Sequence, residues 1–281
     1  MSHPFHHLLL ATEHSEYDSG AERIALELAK RCNMPLAAVL PIASNPEYEA
    51  VAPQLAARAE AEAAHRLQAL QAAATAAGVD LISRVRRGTE LDREIVAEAQ
   101  ARGSDLIIAR RRGKRGFLAR LLVGEMVSRV LAHAPCSVLL VPRASALWSQ
   151  GVLLALDPQT PLALQQAQIQ AAIGVARECA LPLWLVCVCD TSTAARSQAE
   201  AQLAAVLAAA RAQQLRAEGD IRNGRPFEQI IAAADAHQAD LLVLGRHGDA
   251  LPGRAWLGGT TQKVIGLAER PVLVAIPKEK P

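Results

Sequence analysis

The segment Ala239–Gly248, ADLLVLGRHG, follows the same pattern as Ser104–Gly113, SDLIIARRRG, which lies 135 positions earlier in the chain. In both segments an aspartate precedes an uninterrupted apolar run, and a basic stretch ending in glycine follows it. Continuous apolar runs, as opposed to alternating ones, are typical of strands that are covered on both faces, as in a parallel sheet. The two segments therefore predict two such sheets and a chain built by tandem duplication.

Further matched segments extend the repeat in both directions. His7–Glu13, HLLLATE, corresponds to Gly151–Asp157, GVLLALD, and both halves close on an apolar run that ends in proline. Five strands are predicted in the first half, at 7–12, 35–42, 79–86, 105–109 and 137–141. Their counterparts are predicted at 152–156, 182–189, 217–222, 240–244 and 272–276. Apolar residues at three- and four-residue steps predict helices at 19–31, 47–77, 91–101 and 124–133.

Strands that alternate with helices indicate right-handed crossovers between parallel strands. We therefore predict an α/β chain of two tandem, open, doubly wound, five-stranded parallel-sheet domains. A chain of 281 residues is about two domains long. The short polar connector at 143–150 predicts a boundary that gives domains 1–146 and 147–281.

The composition excludes several classes of protein. A formal net charge of +2 argues against a general binder of nucleic acids or anionic membranes, and 3% aromatic residues leave few rings for base stacking. The longest apolar stretch, Leu181–Cys189, is far shorter than the roughly 20 residues of a membrane span. Because Leu8–Ala11 is also too short for the core of a signal peptide, we expect a cytoplasmic protein with reduced cysteines.

A candidate binding site lies in the second half. Ligands of such sheets bind at the carboxyl ends of the strands, where Asp157 follows one strand and Gly245-Arg246-His247-Gly248 follows another. Nine residues later, Gly258-Gly259-Thr260-Thr261 precedes the predicted helix Gln262–Ala268. Glycines let the backbone approach a polyanion, and the free amides of a helix start attract phosphate. This arrangement predicts a phosphate site.

At this point the sequence resembles the universal stress protein family, whose ATP-binding members carry G-x-x-G, nine residues, and then G-[S/T]. The second half departs in having Gly259 where the family has Ser or Thr, with the hydroxyl one place later at Thr260. The resemblance implies an adenine nucleotide alpha hydrolase-like fold and ATP, alone or with Mg²⁺, as the ligand. It assigns Asp157 to the ribose or adenine and the Val188 backbone to the adenine. The phosphates would be held by Gly245, His247, Gly248, Gly258, Gly259 and Thr260.

The first half departs further from the motif. Arg110 stands at the first glycine position, ten residues separate Gly113 from Gly124, and Glu125 replaces the Ser or Thr. Glu13 occupies the place of Asp157. A carboxylate at the mouth of a phosphate site repels a triphosphate, so we predict that this half does not bind ATP and that Glu125 caps its own helix.

Other functions remain open on the sequence alone. Arg110–Arg115 contains five cations and could bind phosphate or nucleic acid, or could be a solvated loop paired with carboxylates such as Glu125. A non-nucleotide adaptor or small-molecule binder is a second alternative. No catalytic motif is present in the sequence, so we expect non-catalytic binding in a stress-response or regulatory role, with slow ATP hydrolysis left open.

The last strand of each half bears on assembly. The resemblance implies that strands equivalent to 137–141 and 271–276 meet in a dimer. In a tandem chain the two halves could make that contact internally, as a pseudo-dimer. Further association into a homodimer stays open, and neither a nucleic acid nor a membrane partner is expected.

Overall fold

The computed structural model describes residues 4–111, 124–190, 192–246 and 257–277. The chain divides into two compact units. Of the described residues, one unit contains 5–111 and 125–147, and the other contains 148–190, 192–246 and 257–277.

The first unit alternates strands and helices. Its elements are β1 (Leu8–Ala11), α1 (Ser19–Cys32), β2 (Leu36–Ala43), α2 (Pro46–Val51), α3 (Pro53–Ala77), β3 (Leu81–Gly88), α4 (Leu91–Arg102), β4 (Leu106–Arg110), α5 (Glu125–His133) and β5 (Ser137–Val141). The five strands are parallel, in the order β3-β2-β1-β4-β5.

The second unit repeats this plan. Its elements are β6 (Val152–Leu156), a 3₁₀ turn (Leu162–Gln165), α6 (Gln166–Glu178), β7 (Leu183–Cys189), α7 (Thr193–Ala212), β8 (Ala217–Asn223), α8 (Pro226–Ala236), β9 (Leu241–Gly245), α9 (Gly259–Leu267) and β10 (Val272–Ala275). The strands are again parallel, in the order β10-β9-β6-β7-β8. The strand order reverses between β6 and β9, where such sheets bind ligands.

The structure confirms the predicted α/β class and all ten strands, with small differences at their ends. The central strands are buried along their length except at Gly245, the partly exposed last residue of β9, which explains their uninterrupted apolar runs. The predicted helix over 47–77 is two helices, because Pro53 begins a new one at its first turn. None of the described helices has both the length and the apolar character needed to cross a membrane.

The aspartate of the repeated segment has the same structural role in both units. Asp105 accepts hydrogen bonds from the backbone amides of His6 and His7, at 2.8 and 2.9 Å. Asp240 accepts in the same way from Ser149 at 2.6 Å and Gly151 at 3.1 Å. Each carboxylate therefore satisfies amides at the start of the unit's first strand, at the sheet edge opposite the candidate site.

Candidate functional site

Two hydrogen bonds join the start of α9 to the end of β9. The amide of Gly258 donates to the carbonyl of Arg246 at 3.1 Å. The Thr261 hydroxyl donates to the carbonyl of Gly245 at 3.0 Å. The sequence predicted that the helix begins at Gln262, but it begins at Gly259, so Thr260 and Thr261 belong to its first turn. The helix start therefore lies directly at the carboxyl edge of the sheet.

Among the described residues, this helix start has no side-chain cap. Gly258 is the N-cap residue, and it has no side chain with which to bond the first amides. Gly259 is exposed, and a Cβ built on it meets no atom of the described residues within 4 Å. The first amides and the positive end of the helix dipole are thus chemically suited to an anion. The buried Thr261 hydroxyl is used by the fold, whereas Thr260 is partly exposed.

Asp157 closes the turn that follows β6. Its Oδ1 accepts from the amide of Gln159 at 3.0 Å, and its Oδ2 accepts from the hydroxyl of Thr160 at 2.9 Å. Because a carboxylate has about four acceptor positions, two remain for donors on a ligand.

Val188 lies beside Asp157 in the register of the sheet. Leu156 of β6 pairs with Cys187 of β7, so the residues that follow them, Asp157 and Val188, lie at the same level.

Burial raises the pKa of the Cys187 thiol to about 12, with smaller contributions from the charges of Cys189 and Asp157. Burial therefore favours the protonated thiol, which is a poor nucleophile.

The predicted site residues in the described part of the chain gather at one edge of the second sheet. Asp157 and Val188 lie at the ends of β6 and β7, and Gly245 ends β9. Gly258, Gly259 and Thr260 form the start of α9. His247 and Gly248 lie outside the described residues, and the roles assigned to all eight residues stay predictions.

Three buried glutamines beneath this edge were missed by the sequence reasoning. Gln165 Nε2 donates to the carbonyls of Asp157 at 2.9 Å and Thr160 at 2.7 Å, and Gln165 Oε1 accepts from the Asp157 amide at 3.0 Å. Gln202 Nε2 donates to Thr160 O at 3.0 Å, and Gln168 Nε2 donates to Gln165 Oε1 at 2.9 Å. Buried amides are tolerated only when they are bonded, so the network fixes the turn after β6. The sequence signal that was available is a glutamine at a helix position where the three- and four-residue spacing otherwise places apolar residues.

In the first unit, an arginine side chain occupies the corresponding edge. Arg110, only 3% exposed, donates from Nη1 to Ser15 Oγ at 2.9 Å and Asp18 Oδ2 at 2.8 Å. Its Nη2 donates to Glu13 Oε1 at 2.7 Å. The alternative in which Arg110 belongs to an exposed phosphate- or nucleic-acid-binding cluster is therefore wrong for this residue, because two carboxylates already hold it. Residues 112–115 of that cluster lie outside the described residues.

Glu125 also differs from its prediction. We predicted that it caps its own helix, but its exposed carboxylate pairs with Arg129 at 2.6 Å, one turn further along α5. The carboxylates that hold Arg110 are Glu13 and Asp18, not the predicted Glu125.

A small cavity adjoins Arg110. Its volume is about 20 Å³, and its apolar walls include Pro41, Ile95, Val127 and Leu140. A single water molecule needs about 10–15 Å³ measured in this way.

A sequence model described as the universal stress protein family matches residues 4–142 and 152–275. The chain belongs to the universal stress protein family. A curated relative, "Universal stress protein in QAH/OAS sulfhydrylase 3′region" from Thermus aquaticus, is 45% identical over 51 residues. That match covers 18% of this chain and 37% of the relative.

Solved structures resemble the chain over nearly its whole length. A universal stress protein from Archaeoglobus fulgidus DSM 4304 has a TM-score of 0.75 at 18% identity, covering 95% of this chain and 97% of that one. A functionally unknown protein from Pseudomonas aeruginosa PAO1 has a TM-score of 0.68 at 20% identity, covering 98% and 93%. At these identities the likeness establishes the universal stress protein fold. Solved universal stress proteins include complexes with cAMP and dAMP.

Proposed function

We propose that the second half binds an adenine nucleotide, ATP, at the carboxyl edge of its sheet, and that the chain serves a stress response in a regulatory, non-catalytic role. One observation carries the proposal: the uncapped start of α9 is fastened directly beside the end of β9. The amides of Gly259, Thr260 and Thr261 precede the first intrahelical bond, which runs from the amide of Gln262 to the carbonyl of Gly258, and the N-cap glycine has no side chain to cover them. That is the chemistry by which a backbone binds phosphate.

The charges favour one orientation of the nucleotide. The phosphates would lie at α9, where the helix dipole is positive. Asp157 repels phosphate but can accept a hydrogen bond from a ribose hydroxyl or the adenine amino group, so the nucleoside would lie at the ends of β6 and β7. In this orientation the backbone of Val188, which is level with Asp157, would contact the base.

Only one nucleotide per chain is expected. In the first unit, the Arg110 side chain is bonded to Glu13 and Asp18, whereas the second unit has Gly245 at the equivalent position. The exposed carboxylate of Glu125 stands in the first turn of α5, where it would repel phosphate.

A titration with ATP·Mg²⁺ tests the proposal. At a ligand concentration 100 times Kd, linkage adds about 2.7 kcal/mol, which raises the melting temperature by roughly 5–10 °C. Calorimetry should give one site per chain. Asp157→Asn, which preserves an acceptor for the Gln159 amide, should weaken ATP and adenosine but leave inorganic triphosphate binding unchanged. No shift at millimolar ATP would refute nucleotide binding.

A further inference from the structure

The two units use different residues to begin the helix that follows their first strand. Asp18 is the N-cap residue of α1, and Gln165 is the N-cap residue of α6. Both side chains are buried, with exposures of 1% and 3%. Both also hold the preceding loop: Asp18 Oδ2 accepts from the Ser15 amide at 3.0 Å, and Gln165 Nε2 donates to Thr160 O at 2.7 Å.

The difference between the two N-cap residues is charge. A buried carboxylate must have a counter-charge, and Asp18 receives it from Arg110 at 2.8 Å. Gln165 is neutral, and its hydrogen bonds are made to backbone groups and to Gln168 and Gln202. The α6 position therefore requires no buried cation.

Arg110, which neutralises Asp18, and Gly245 lie at equivalent positions in the two sheets. Arg110 ends β4 opposite Val141, five residues after Asp105 of the repeated segment. Gly245 ends β9 opposite Ala275, five residues after Asp240 of the repeated segment. At this position the unit whose N-cap residue is an acid carries a guanidinium, and the unit whose N-cap residue is an amide carries a glycine.

From this correspondence we infer that the residue pairs 18/110 and 165/245 determine which half takes a ligand. Because Asp18 is a buried acid, the first half must keep the Arg110 guanidinium beside it, and this side chain occupies the carboxyl edge where a ligand would bind. Because Gln165 is neutral, the second half needs no buried cation, and Gly245 places no side chain across the carboxyl edge of its sheet. The inference rests on the proposed function for the identity of the ligand, but the pairing itself is a property of the chain alone.

A double-mutant cycle on the full chain tests the pairing without any ligand. We expect Arg110→Gly to lower the melting temperature by roughly 10 °C, because Asp18 is left buried without a counter-charge. Asp18→Asn should lower it in the parent but raise it in the Arg110→Gly background, since the neutral amide removes that charge. Effects that simply add would overturn the inference.

An exposed pair provides the matched control. The cycle of Glu125→Gln and Arg129→Ala, whose ion pair spans 2.6 Å on the surface of α5, should show little coupling. Coupling as large as that of the buried pair would mean that the effect is not specific to the closed edge, and would overturn the inference. If Arg110→Gly does not fold, recovery of a folded chain by Asp18→Asn/Arg110→Gly supports the pairing, and failure to recover contradicts it.

A second arm transfers the arginine to the other half. Gly245→Arg should leave the chain folded and abolish ATP binding, with calorimetric stoichiometry falling from one to zero. Ala236→Arg, at the exposed end of α8, is the control that adds the same charge away from the site, and it should retain binding with a Kd within a few-fold of the parent. Unchanged ATP binding by Gly245→Arg would overturn the inference. A parent chain that binds no ATP would instead refute the proposed function, while the first-half cycle would still decide the pairing.

Discussion

The substitution Gly259→Glu places in the second half the residue that the first half has at 125. Both positions are the first residue of the corresponding helix, α9 and α5. A Cβ at 259 meets no atom of the described residues within 4 Å, so the new side chain enters open space in front of the helix. The perturbation is therefore one of charge rather than of packing.

The unliganded chain should become more stable. A carboxylate in the first turn of a helix contributes about 0.3–1 kcal/mol. Replacing glycine where the backbone is compatible adds about 0.4–1 kcal/mol by restricting the unfolded chain. Together these gains should raise the melting temperature of the second unit by roughly 2–6 °C.

ATP binding should weaken at the same time. Two unit charges 4 Å apart repel by about 1 kcal/mol in water and about 4 kcal/mol near a protein surface. Each phosphate charge at that distance from the new carboxylate should therefore raise Kd between about 5-fold and 1,000-fold. The effect should shrink as salt is added, because mobile ions screen exposed charges.

Calorimetric titration of ATP·Mg²⁺ at low and physiological salt measures this change, with Gly259→Gln as the control of equal size and no charge. Gln should bind ATP nearly as the parent does. Equal weakening by Gln and Glu would show that bulk, not charge, matters at 259. Unchanged binding by the Glu variant would show that phosphate does not lie at the start of α9.

Three further substitutions have defined outcomes. Thr261→Val removes the 3.0 Å bond to Gly245 O and should cost about 1–2 kcal/mol in urea unfolding; an unchanged midpoint would mean that the bond does not hold the helix start. Gln165→Leu leaves several buried groups of the turn unbonded and should cost about 2–5 kcal/mol, whereas a neutral result would deny the network its structural role. Burial alone would raise the pKa of Glu98, but hydrogen bonds from Arg86 and Arg102, both at 2.5 Å, outweigh it and hold the pKa below the ordinary value of about 4.5. The free energy of unfolding that this pairing contributes is therefore fully present above pH 4.5 and is lost as the pH falls through the lowered pKa of Glu98. Glu98→Gln should flatten the decline of stability at acid pH. An unaltered decline would contradict the pairing of Glu98 with the two arginines.

The strands were predictable because burial on both faces requires uninterrupted apolar runs, and the edge of the sheet that carries the site follows from the order of the elements. The partner of Arg110 was not predictable in the same way. Arg110 and Asp18 are 92 residues apart, so no local spacing connects them, and the nearer Glu125 was the wrong choice. The roles of the glutamines were missed for the same reason, since Gln165 and Gln202 meet only after α6 and α7 have packed.

The buried Asp18–Arg110 pair also bears on how the two copies diverged after duplication. Loss of either partner alone leaves an uncompensated charge in the interior, at a cost of about 3–5 kcal/mol. That is a large share of the roughly 5–15 kcal/mol by which folded domains are stable. Single substitutions that lead back toward an open first half therefore pass through a poorly folded intermediate. Selection for a folded chain therefore favours keeping both residues over losing either one alone, and no equivalent constraint acts on Gly245.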